Sequence, residues 1–221
     1  MNEADTPMDK YLKSYVDKYA DWRKGGTFTY SSRVIPVRES FEAKQWVLPR
    51  EQVLQILENA RTFALADCLC RTHYGRCNKP RDVCFLIDDL ADKTIAHGKA
   101  RKLSLPEAAD RLRMADAHGL VHLALYMPGH QIYALCSCCD CCCHDLQLLK
   151  TYHRRDLVAR SDYEAVTDPS RCTACGLCIG RCVFDARTMH DEKLACNPAL
   201  CLGCGLCVSA CPEHAIVMRR R

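Results

Sequence analysis

Apolar positions recur at helical spacing near the start of the chain, where Met8, Leu12, Tyr15, Val16, Tyr19 and Trp22 share one face. Thr6-Pro7-Met8-Asp9 reads as the helix start: a capping hydroxyl, a proline at the first helical position and an acid in the first turn. Gly25-Gly26 ends the pattern. Such a stripe predicts a helix packed on a domain body, and the same face would serve a docking helix for a partner protein. Thr27–Val37 is β-rich and irregular. Leu48-Pro49-Arg50 opens a second helix whose apolar side is Val53, Leu54, Ile56 and Leu57. The run Phe63–Ala66 predicts a strand that delivers the chain to Cys68-Leu69-Cys70, with alternation placing both cysteines on one face. Ser104-Leu105-Pro106-Glu107 has the form of a capping box, so a helix is expected from there to His118 with Gly119 behind it. Val121–Tyr126, Pro128-Gly129 and Gln131–Leu135 predict a β-hairpin, and another helix is expected over Leu146–Val158.

The pattern breaks near the C-terminus, where cysteine takes over. Cys172-x2-Cys175-x2-Cys178-x3-Cys182 recurs as Cys201-x2-Cys204-x2-Cys207-x3-Cys211-Pro212, and Pro169–Met189 matches Pro198–Met218 at nine of 21 positions. A cubane needs one thiolate at each iron, and three cysteines at i, i+3 and i+6 can wrap three corners. Gly176, Gly203 and Gly205 let the backbone approach and aim N–H groups at sulfur. Zinc motifs give no reason to space three cysteines evenly and add a fourth, twice.

Residues 168–219 therefore resemble a bacterial-type two-cluster ferredoxin domain, with Val183 where that family often has proline. In such domains the fourth cysteine of each run serves the other cluster. The resemblance implies one [4Fe–4S] cluster on Cys172, Cys175, Cys178 and Cys211, and a second on Cys201, Cys204, Cys207 and Cys182.

Nineteen cysteines leave eleven beyond those eight. Cys68, Cys70, Cys77 and Cys84 form one group; Cys136, Cys138, Cys139, Cys141, Cys142 and Cys143 form another. Each begins at the end of an expected strand, so neighbouring strands would bring the groups together at one edge. One or two additional iron–sulfur clusters are expected there. Zinc on Cys68, Cys70, Cys77 and Cys84, a redox-active thiol pair within Cys136–Cys143, and simple packing are the alternatives. Cys196 is expected to pack. His73 and His144 sit inside the cysteine groups and are weaker ligand candidates. Ala66–Arg71 and Cys138–Cys143 also resemble stretches of Cys-rich ferredoxin-like proteins from anaerobes, over residues 34–219; that likeness implies further cofactor binding and redox work without naming a reaction.

The expected fold is α+β: an N-terminal helix and β-rich lead-in (1–47), a Cys-rich α/β domain (48–160) and a ferredoxin-type dicluster domain (161–221). The charge of +4 is modest and spread out, which argues against nucleic acid. There is no charged-then-apolar leader and no long apolar run, so membrane insertion is not expected, and uneven free cysteines point to a reducing cytoplasm. No glycine-rich phosphate motif is present. The functional expectation is an electron carrier, acting alone or as an oxidoreductase subunit, that passes electrons to a partner protein. Two rivals are a redox enzyme with a site-differentiated cluster at Cys136–Cys143 and a cluster-based redox sensor.

Overall fold

The computed structural model describes residues 7–26, 32–35, 53–128 and 131–221; Thr6, most of the β-rich stretch and the Leu48-Pro49-Arg50 helix opening lie outside them. Helix α1 (Lys10–Lys24) begins later than predicted. Asp9 is its cap, accepting the Leu12 N–H at 2.9 Å, so an acid rather than the hydroxyl of Thr6 satisfies the first turn. The chain continues through β1 (Ser32–Ile35), α2 (Val53–Asn59), β2 (Phe63–Asp67), α3 (Leu69–Tyr74), β3 (Asp82–Ile87) and α4 (Asp88–Ala96). It then forms β4 (Ala100–Lys102), α5 (Leu105–Ala117), β5 (Val121–Tyr126), β6 (Ile132–Cys138), α6 (His144–Lys150) and β7 (Val158–Ala159). The capping box at Ser104 and Glu107 is present, and the β5–β6 hairpin forms as expected.

These strands make one sheet in the order β4-β2-β3-β6-β5-β1-β7, antiparallel except for β1 with β7. The β5 alternation decides which side chains go where. Val121, Leu123 and Leu125 face α1 and α6, while Ala124 and Tyr126 face α2 and α5. The stripe on α1 therefore packs on the domain body: Leu12 and Tyr19 are buried in the same core as Leu146, Leu148 and Leu149 of α6. The lead-in is integral to this layer, since β1 pairs with both β5 and β7.

Three local expectations are corrected. Strand β2 stops at Asp67, so Cys68 caps α3 and Cys70 lies within it; strand alternation is not what brings the two together. Residues 82–102 hold β3, α4 and β4, where no regular element is predicted. Helix α6 ends at Lys150 rather than Val158, because His153 takes a left-handed φ of 52° and turns the chain away.

The C-terminal unit consists of β8 (Tyr163–Thr167), α7 (Leu177–Gly180), β9 (Arg187–His190), β10 (Lys193–Cys196), α8 (Leu206–Ser209) and β11 (Ile216–Arg220). The sequence repeat is also a structural one. Strands β8 and β10 are equivalent, as are β9 and β11, but each pairs across the repeat: β8 with β11 and β10 with β9. Ala174 and Gly203 both have positive φ, as do Gly176 and Gly205 at the two helix starts. Gly203 is the strictest, because an added Cβ would lie 1.9 Å from the Tyr163 carbonyl oxygen. The whole is an α+β molecule. Phe184, Leu202 and Leu206 of this unit enter the core shared by α1 and α6, so the two parts are packed together. Among the described residues, no helix is long and apolar enough to cross a membrane.

Candidate metal centres

The crossed repeat positions the eight C-terminal thiols. Helices α7 and α8 each carry the third cysteine of their run inward, and the chain then crosses towards the other half. Cys172, Cys175, Cys178 and Cys211 line one cavity, with Gly176, Leu194 and Ile216. Cys182, Cys201, Cys204 and Cys207 line a second, with Phe184, Leu202 and Gly203. The fourth cysteine of each run thus lies with the first three of the other. Equivalent backbone donors reach the two crossing sulfurs: Ala186 N–H to Cys182 Sγ and Ala215 N–H to Cys211 Sγ, each at 3.3 Å.

The surroundings of the two cavities differ. Cys175 is exposed, Cys172 and Cys211 are half-buried and Cys178 is buried. Cys204 and Cys207 are both buried with Cys182 and Cys201 half-buried, and Cys204 packs in the core shared with the N-terminal domain. Burial pushes the Cys207 thiol up to about 12 and the Cys204 thiol higher still. Buried thiols of this kind lose their protons to a metal, not to water. The all-sulfur donor sets and the N–H groups aimed at sulfur fit a [4Fe–4S] cluster at each position.

Arg187 joins the two sites. It is 3 % exposed, donates to Thr167 Oγ1 at 2.8 Å and to the Ala165 carbonyl at 3.2 Å, and also meets the sulfurs of Cys178 and Cys207. One buried cation therefore faces one cysteine from each quartet. The repeat places Ile216 at the equivalent position, so the guanidinium breaks the symmetry. Motif spacing does not reveal it.

The other ten cysteines do converge, because β3 and β6 are neighbours and Cys84 lies opposite Cys136. They do not form one group. Cys68, Cys70, Cys143, Cys138, Cys136 and Cys84 make a closed ring in which each thiol interacts with the next. The ring alternates in acidity. Hydrogen bonds from two neighbours pull Cys68 down to about 2 and Cys136 to about 6, and lower Cys143 well below its ordinary value. The donors Cys70, Cys84 and Cys138 are raised correspondingly.

A hydrogen-bonded chain leads away from this ring. Cys70 Sγ meets His144 Nδ1 at 3.1 Å, and His144 Nε2 meets the Tyr19 hydroxyl at 2.9 Å; that hydroxyl donates to Asp145 Oδ1 at 3.1 Å. Tyr15 of α1 stacks on His144 with ring centroids 3.5 Å apart, and Tyr11 stacks on His73 at 4.0 Å. Helix α1 is thus an aromatic cover over the sulfur ring. His144 touches a ring sulfur, whereas His73 serves the cover.

Cys77 does not join Cys68, Cys70 and Cys84, which overturns the zinc set expected on those four. Its sulfur lies instead with Cys139, Cys141 and Cys142, all four within 4.8 Å of one another. Cys141 and Cys142 face the same centre despite being adjacent, because they lie in a turn rather than an extended strand. Arg71, 1 % exposed, sits between the two groups: it donates to Cys139 Sγ at 3.7 Å and to the Ser137 carbonyl at 3.0 Å, with Cys68 and Cys138 beside it. The Cys70-Arg71 dipeptide was the available sequence signal for it. Cys196 is exposed, not packed as expected.

A family model described as a 4Fe-4S binding domain matches residues 197–217, the segment that carries Cys201, Cys204, Cys207 and Cys211. No curated protein matches the chain. The matched segment is of iron–sulfur ferredoxin type, and the chain is on that basis an iron–sulfur protein.

Proposed function

We propose that this chain is an electron-transfer protein with two [4Fe–4S] clusters in its C-terminal unit and a further polynuclear iron–sulfur site on its six-cysteine ring. The observation that carries the reading is the crossing of the two cysteine runs into two separate four-sulfur cavities. When bound, the clusters supply one-electron chemistry. The chain supplies thiolates, N–H donors to sulfur and burial, which set where an electron rests.

The asymmetry of burial gives the relay a direction in space. Cys172, Cys175, Cys178 and Cys211 form the outward quartet, within reach of a redox partner protein or a larger oxidoreductase. Cys201, Cys204, Cys207 and Cys182 form the inward quartet. Cys182 and Cys204 pack in the same core as Cys138 and Cys143 of the ring, with Leu146, Leu148 and Leu149 in that core as well. An apolar core of this kind keeps water from the route between the inward quartet and the ring.

The test is a pair of variants in the full chain, purified without oxygen. Cys175→Ala should remove or convert the outward cluster and leave the inward one, and Cys204→Ala should do the reverse, each with the loss of up to about four irons. Full iron content in both variants would sink the assignment.

A further inference from the structure

The ten N-terminal cysteines divide by geometry into an open ring of six and a tight set of four, and the tight set has the dimensions of a single ion. A tetrahedral zinc with Zn–S bonds of about 2.3 Å requires neighbouring sulfurs about 3.8 Å apart. Cys77 Sγ lies 3.8 Å from Cys139 Sγ, and Cys142 Sγ lies 3.8 Å from Cys141 Sγ. All four sulfurs fall within 4.8 Å of one another, and no other three or more metal-binding side chains do so among the described residues. A cubane holds its terminal thiolates much further apart, because each sits on a different iron at the outside of the cluster. The ferredoxin-type quartets have that wider arrangement around their cavities; this one does not.

We infer that Cys77, Cys139, Cys141 and Cys142 hold one structural zinc ion. Four thiolates and no open position make a closed site, which suits structure rather than catalysis. The surroundings are those of an anionic tetrathiolate. Backbone N–H groups of Lys79 and Arg76 point at Cys77 and Cys142 sulfurs respectively. The buried Arg71 guanidinium reaches Cys139, and no carboxylate pairs with it among the described residues. A cation so deeply buried needs negative charge beside it, and metal-bound thiolates provide it. The loop is held from outside as well: Arg76 donates to the Cys141 carbonyl at 3.0 Å, Gln147 to the Cys142 carbonyl at 3.0 Å, and Lys150 pairs with Asp140 at 3.2 Å.

The ion would pin the Cys77 loop to the turn that follows β6. Cys138 and Cys143 of the ring flank that turn, so the zinc would fix the register of a neighbouring redox site without carrying electrons itself. Binding deprotonates the cysteine thiols as the Zn–S bonds form and releases those protons, with no change of oxidation state.

The test uses the intact chain purified without oxygen. Zinc-edge X-ray absorption should show four sulfur neighbours at about 2.3 Å and one zinc per chain. Cys77→Ser and Cys141→Ser should each lower zinc at least tenfold while iron is retained, and Cys70→Ser should keep the zinc. Nitrogen or oxygen in the zinc shell, an absence of zinc, zinc retained in both quartet variants, or iron lost in step with those variants would overturn the assignment. The X-ray measurement needs no variant, so it stands even if the serine proteins fail to fold. A failure of the electron-relay reading would show instead in the iron content of Cys175→Ala and Cys204→Ala.

Discussion

Arg187 is the residue on which the behaviour of the two C-terminal quartets turns. A cluster gains a negative charge when reduced, and a buried cation beside its sulfur favours that state. Replacing Arg187 with leucine, close to the isoleucine its repeat carries, should lower the potentials of both clusters. Losing one hydrogen bond worth about 1 kcal/mol corresponds to about 40 mV in a one-electron couple. A redox titration followed by electron paramagnetic resonance reads the change, and Arg187→Lys should restore part of it. Unchanged potentials in Arg187→Leu would remove the guanidinium from the account. The eight motif cysteines could be read from spacing because the spacing is itself the geometry. Arg187 could not, and Arg71 carried no mark beyond its place beside Cys70, since a buried arginine looks like any solvated one until the fold closes around it.

At the scale of elements, the legible parts were those that rest on local physics. The α1 stripe, the Ser104 capping box and the β5–β6 hairpin depend on neighbours in sequence, and all three form. What could not be read was set by distant partners. The division of ten cysteines into six and four depends on β3 lying beside β6 and on a turn at Asp140–Cys142. Neither leaves a local mark. Helix α1 shows how an element serves a site it does not belong to: its Tyr11 and Tyr15 cover the histidines beside the ring, and Leu12, 1 % exposed, anchors it. Leu12→Ala should cost about 3 kcal/mol in denaturant unfolding, as buried leucine truncations do. It should also speed the loss of iron from the N-terminal site to a chelator, ahead of iron from the C-terminal unit. Stability changed by less than about 0.5 kcal/mol, with equal rates of iron loss, would mean that the helix is not a cover.

The whole molecule then reads as two sulfur-rich parts joined through one apolar core. The crossed repeat leaves Cys175 of one quartet exposed and packs Cys204 of the other in the core shared with the N-terminal domain. Arg181 reinforces the joint by donating to the backbone carbonyls of Asp116 and Ala117 at the end of α5, and the Asp116 carboxylate accepts from Ser209 at 3.0 Å. On the proposed reading, that joint holds the N-terminal ring in a fixed place beside the inward quartet. The most direct measurement is the iron, acid-labile sulfide and zinc content of the full chain purified without oxygen, combined with a reductive titration. The account predicts more than about eight irons per chain with matching sulfide, one zinc, and more than two electrons accepted. About eight irons or fewer, or iron without sulfide, would contradict it.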